Sequence, residues 1–141
     1  MEEKVNVVFV DDDPTTLLIA KGCKFDNVIL YTFNNPEDCL KKLEEINPWV
    51  IISDQRMPQM LGNEFLKKAK EIAPKSIRIM LTGYHDEHVP GALINDASAD
   101  AYLNKPISTE TLEGLVEKYI EMFIQKNIIS KYESVYGNKR S

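Results

Sequence analysis

Five short apolar runs punctuate the chain: Val5–Val10, Val28–Phe33, Trp49–Ser53, Ile77–Leu81 and Ala99–Leu103. They are rich in β-branched residues and nearly continuous, where a sheet with one wet face would alternate. Such runs predict strands buried on both faces, as in a parallel sheet. Between them the period changes. Pro14–Lys24, Pro36–Ile46, Asn63–Ile72 and His85–Asp96 space their apolar residues as helices do. Asn35 before Pro36-Glu37-Asp38 is a strong helix opening, with an amide cap, proline at the first position and acids in the first turn. Leu40, Leu43 and Ile46 then supply a buried stripe. In the first helix Gly22-Cys23-Lys24-Phe25-Asp26-Asn27 breaks the pattern early, which predicts a short or frayed element. A last helix opens at Ser108 or Thr109 and turns Leu112, Leu115, Val116 and Ile120 inward.

Strict βα alternation, five times over, predicts a doubly wound α/β sheet, and right-handed crossovers leave few topologies for it. The 141 residues suit one ordinary domain, and 43% hydrophobic with 28% charged residues is a globular composition. No run approaches the ~20 apolar residues of a membrane span, and the first residues do not read as a signal peptide. Cys23 and Cys39 lack any motif spacing, so they read as free thiols in a reducing, cytoplasmic setting. The net charge of −5 argues against non-specific nucleic-acid binding. It is unevenly spread: residues 123–141 carry +3, leaving −8 on residues 1–122.

The polar residues at the strand ends carry the chemistry. In open α/β sheets, sites form beyond the carboxyl ends of the strands. The first strand ends in Asp11-Asp12-Asp13, the third in Ser53-Asp54, the fourth in Thr82-Gly83 and the last in Asn104-Lys105-Pro106. Crowded carboxylates resist ionisation unless a cation sits among them, and carboxylate oxygens favour Mg²⁺. Asp12 and Asp54 can bind such an ion directly, with Asp11 acting through a water. Asp54 can then act as a nucleophile toward phosphorus, Lys105 can neutralise phosphoryl oxygens, and the Thr82 hydroxyl can donate to one. Asp13 before Pro14 has a simpler role as a helix cap. Taken singly, Asp54 and Thr82 also fit turn roles and Lys105 an ordinary surface role; their joint placement is what favours chemistry.

Val10-Asp11-Asp12-Asp13-Pro14, Ser53-Asp54-Gln55-Arg56-Met57-Pro58 with Gly62, Leu81-Thr82-Gly83 and Ala101-Tyr102-Leu103-Asn104-Lys105-Pro106 occur in that order. Together they resemble the receiver domain of two-component response regulators, over residues 4 to about 122. The resemblance implies a flavodoxin-like three-layer sandwich with strand order 2-1-3-4-5. It implies that Asp54 accepts a phosphoryl group from a sensor histidine kinase or a small phosphodonor. It also implies that Asp11, Asp12, Asp54 and the backbone carbonyl of Arg56 hold Mg²⁺, that Thr82 and Tyr102 form a switch pair, and that the Lys105–Pro106 bond is cis. The wording around Asp54 and Thr82 is similar to receivers that precede cyclic-di-nucleotide phosphodiesterase domains and to those of certain hydrogenase regulators. Pro90-Gly91 departs from the family's usual fourth helix. Arg56 and Tyr84, both bulky, flank the pocket and predict a long-lived aspartyl phosphate.

A rival reading is a haloacid-dehalogenase-type Mg²⁺ phosphatase using Asp11 and Asp13, which have that family's Asp-x-Asp spacing. It leaves Asp54 unused and the chain has little room for a cap. His85 and His88 sit three apart but lack further Cys or His partners for a metal site. The chain therefore divides into a receiver domain, 1–122, and a C-terminal helical extension or tail, 123–141. Phe123, Ile124, Ile128, Tyr132 and Val135 continue the last helix's apolar spacing. That stripe predicts a helical continuation used for homodimerisation or for joining an output domain.

Overall fold

The computed structural model describes residues 4–83 and 98–136, with side chains as far as residue 128. The sequence-predicted helix His85–Asp96 lies outside the described residues, and with it Tyr84, His85, His88, Pro90 and Gly91. The elements run β1 (Val5–Val10), α1 (Pro14–Lys21), β2 (Val28–Phe33), α2 (Pro36–Ile46), β3 (Val50–Asp54), α3 (Gly62–Ile72), β4 (Ile77–Thr82), β5 (Ala101–Asn104) and a C-terminal helix (Thr109–Tyr136). All strand pairs are parallel and the order is β2-β1-β3-β4-β5.

Alternate side chains of each strand feed one of two cores, because successive residues face opposite sides of a sheet. Val7, Phe9, Val50, Ile52, Ile79 and Leu81 pack with α1 and the C-terminal helix. Val8, Val10, Ile51 and Met80 pack with α2 and α3 on the other side. This is the three-layer sandwich expected. In α2 Leu43 and Ile46 are buried as the stripe requires, but Cys39 is buried more deeply than Leu40. Burial of that thiol pushes its pKa up to about 12, so it stays protonated.

The helix openings behave as their sequences dictate. Asp13 accepts the Thr15 N–H at 3.0 Å and the Thr16 hydroxyl at 2.9 Å. Asn35 accepts from Glu37 at 2.8 Å and from Asp38 at 3.4 Å. The short α1 stops at Lys21, three residues before the predicted end, where Gly22 closes its last turn. β5 begins at Ala101, two residues later than its apolar run, because Asp100 is used to hold the entry to that strand.

The C-terminal helix is 28 residues long, about 42 Å at 1.5 Å per residue. Leu112, Val116 and Tyr119 are buried against the sheet, with Leu115, Ile120 and Phe123 partly so. Phe123 stacks on Trp49 with ring centroids 4.4 Å apart and planes at 15°. Past Phe123 the helix continues to Tyr136, and Ile128 is 61% exposed. Among the described residues no helix is long and apolar enough to cross a membrane.

Candidate functional site

β1 pairs with β3, with Val10 opposite Ser53, so the residues next after these two, Asp11 and Asp54, emerge side by side. Asp11 is fully buried and Asp54 nearly so, while Asp12 is exposed. Lys105, just past the end of β5, reaches back between them. Its Nζ lies 2.7 Å from Asp11 Oδ2 and 3.2 Å from Asp54 Oδ1. Carboxylate oxygens of Asp11, Asp12 and Asp54 all lie within 4.8 Å of one another. Asp11 and Asp54 thus share one ammonium, with Asp12 beside them. Asp13 stands apart: its carboxylate is taken up by Thr15 and Thr16 at the start of α1, which deprives the Asp11/Asp13 phosphatase reading of its second acid.

The electrostatics follow from burial. Asp54 is pushed up to about 6 by loss of water, then by the neighbouring Asp11, against the pull of Lys105. Asp11 is raised by burial despite the hydrogen bond from Lys105 and the Asp13 N–H donated at 2.9 Å. Burial alone would lower Lys105, but Asp11 and then Asp54 overcome it, so its pKa rises and the ammonium persists. With all three acids ionised the pocket carries two excess negative charges.

Thr82 ends β4 beside this cluster. Its Oγ1 lies 3.2 Å from the Leu103 carbonyl oxygen and 3.1 Å from Asn104 Oδ1, so the hydroxyl is turned toward β5. Tyr102 sits opposite Met80, which is two residues before Thr82. The half-buried ring packs on the α2/α3 side of the sheet, the side Met80 faces. By strand alternation Thr82 shares that side, so Thr82 and Tyr102 are diagonal neighbours on one face. Pro106 follows Lys105 through a cis peptide bond, as the sequence resemblance implied.

The loop after β3 carries Arg56, which is exposed between the buried Gln55 and Met57. Gly62 closes that loop. Its N–H donates to the Gln55 carbonyl at 2.8 Å. A Cβ here would overlap the Asp54 carbonyl oxygen and come within 2.8 Å of Met80 Sδ and 2.9 Å of Gln55 Cα.

Among the buried polar residues that escaped the sequence reading, two have long side chains. Gln55 lay hidden beside Asp54 in a motif read for its acid. Arg78 lay hidden in an apolar strand: it is 4% exposed, with Nε donating to the Ser98 carbonyl and Nη1 to the Ser76 carbonyl, both at 3.0 Å. Its backbone N–H donates to Asp100 Oδ2 at 2.7 Å, and Nη2 lies 3.8 Å from the same oxygen. The available signal was a charge inside an apolar run, with one acid just ahead of the next strand.

Residues 7–117 match the family model for the response regulator receiver domain. The chain is 32% identical over 122 residues to a hydrogenase transcriptional regulatory protein of Cupriavidus necator, covering 86% of this chain and 25% of that protein. It is 32% identical over 124 residues to an uncharacterized 14.6 kDa protein of Leptolyngbya boryana, covering 85% and 93% of the two. In structure it is similar to a CheY-like response regulator receiver domain protein of Methanospirillum hungatei, with TM-score 0.77 and 25% identity over 88% of this chain and 99% of that one. It spans 24% to 28% of the length of the hydrogenase and NtrC transcriptional regulators it matches. The sheet order, the acid cluster and the family match converge: the chain belongs to the response regulator receiver domain family, a signalling module of two-component systems.

Proposed function

We propose that Asp54 is the phosphoacceptor and that its phosphorylation by a sensor histidine kinase sets a protein-interaction surface. The observation that carries this reading is the Lys105 ammonium held between Asp11 and Asp54 with Asp12 in reach. Two excess negative charges on an all-oxygen donor set fit a divalent cation, and Mg²⁺ in particular takes such ligands while keeping waters. Asp11, Asp12, Asp54 and the Arg56 carbonyl would hold it. When bound, the ion supplies positive charge that keeps Asp54 ionised and balances phosphoryl oxygens.

Asp54 then attacks phosphorus through a carboxylate oxygen. The new O–P bond forms as the P–N bond of the donor phosphohistidine breaks, its electron pair leaving on the imidazole. Lys105 already faces Asp54 Oδ1, so its charge is in place for the phosphoryl group without reorganisation. Thr82 leaves its β5 acceptors and donates to a phosphoryl oxygen, and Tyr102 follows inward on the same face. Such a switch is a two-state equilibrium biased by the added charge. The C-terminal helix is the arm that joins this domain to a second copy or to an output domain, in a cytoplasmic regulator.

The test is incubation with Mg²⁺ and acetyl phosphate followed by mass spectrometry. One added phosphoryl group is expected, absent in Asp54→Asn and without Mg²⁺. No adduct, or an adduct that survives in Asp54→Asn, overturns the assignment.

A further inference from the structure

Gln55 follows the proposed phosphoacceptor directly, yet it is only 4% exposed and does not face solvent as a strand-end amide ordinarily would. A buried amide needs partners for its donors and acceptor. Gln55 finds them across the loop. Its Oε1 accepts the Asn63 N–H at 3.0 Å, and its Nε2 donates to Asn63 Oδ1 at 3.2 Å. Its backbone carbonyl takes the Gly62 N–H at 2.8 Å. Three hydrogen bonds therefore close the loop between Gln55 and Asn63.

The start of α3 explains why a side chain is needed there. The residue at its N-cap is Leu61, which makes no side-chain cap bond. A helix start leaves N–H groups without partners, and a side-chain oxygen normally meets one of them. Gln55 performs that task from the end of β3, so the helix start and the strand end are tied together. Arg56 lies inside this closure, with Gln55 pinned on one side and the 5% exposed Met57 on the other. Fixing both neighbours fixes the peptide between them, where a loop residue would otherwise sample many orientations at an entropic cost on binding.

We propose that Gln55 is a positioning residue for the divalent cation: its clasp on Asn63 holds the Arg56 carbonyl in place. The inference rests on the reading of the acidic pocket as a Mg²⁺ site and goes beyond it, since Gln55 itself touches no ion. Groups that orient metal ligands typically cost 10–100-fold in metal affinity when lost. The clasp accounts for a polar side chain in a place where packing alone would favour an apolar one.

The experiment is a calorimetric Mg²⁺ titration of the full chain at neutral pH, with wild type, Gln55→Met and Asn63→Ala compared. Gln55→Met keeps length and burial but removes both side-chain hydrogen bonds, which separates positioning from packing. Asn63→Ala puts a good helix former at this half-buried site, removes the acceptor of the Nε2 bond and keeps the backbone N–H that Gln55 Oε1 accepts. The expected result is about a tenfold loss of affinity in Gln55→Met and a smaller loss in Asn63→Ala. The far-ultraviolet circular dichroism should be unchanged. A Gln55→Met chain that binds Mg²⁺ as tightly as wild type overturns the clasp while leaving the metal site intact. A wild-type chain that binds no Mg²⁺ overturns the pocket reading itself, and the clasp with it.

Discussion

Asp54 is held at a pKa of about 6 against an ordinary value of 3.8, so in the folded, metal-free chain it binds its proton more tightly than in the unfolded one. The stability this gives is fully present below the unfolded value and lost as pH rises through about 6. At neutral pH the ionised, buried carboxylate therefore works against folding. Asp54→Asn should raise the stability of the metal-free protein at neutral pH by about 1–2 kcal/mol. The gain should shrink as pH falls toward 4, because the wild-type group then becomes neutral too. Melting curves in chelator across that range check it, and a variant less stable than wild type at neutral pH would contradict the account. Gly62 makes the opposite kind of demand. Its missing Cβ leaves room for the Asp54 carbonyl and Met80, so Gly62→Ala should destabilise by about 1–3 kcal/mol through overpacking. Urea denaturation measures that directly.

At the scale of elements, the C-terminal helix is anchored by its first half, and the helix runs on past Phe123 to Tyr136. Phe123 on Trp49 marks the end of the anchored part. An aromatic pair of this kind contributes about 0.5–1.5 kcal/mol beyond burial. Phe123→Ala should lose at least that in stability and shift Trp49 emission to longer wavelength as the indole gains water. Trp49 is the single tryptophan, so the signal is unambiguous. Unchanged emission would mean that the stack does not shield the ring. The sequence legibly foretold this helix: its apolar spacing runs on past residue 123, and the helix does too. The α1 break at Gly22 and the Asn35 cap were equally legible, because caps and breaks are decided by adjacent residues. The delayed start of β5 was not, since Asp100 is claimed by Arg78 from a strand twenty-two residues earlier.

For the whole molecule, the proposed Mg²⁺ site predicts that metal binding is coupled to folding. Mg²⁺ at a hundred times its dissociation constant should stabilise the chain by about 2.7 kcal/mol. A melting temperature that is the same in Mg²⁺ and in chelator would show that the acids do not form a site. The acids themselves could be found from the sequence, because the end of an apolar run is a local property and an open α/β sheet gathers its strand ends at one edge. The types of the described elements, their caps and the candidacy of Asp11, Asp12, Asp54, Thr82 and Lys105 were legible at that level. Their energetics were not. Only the tertiary structure sets Asp11 against Asp54, through the pairing of β1 with β3, and brings Lys105 from beyond β5 to both. Only it buries Gln55 against Asn63 across the loop and Arg78 against Ser98, twenty residues along the chain. Desolvation and hydrogen bonding act through space, and the groups that impose them are set by packing rather than by neighbours in sequence.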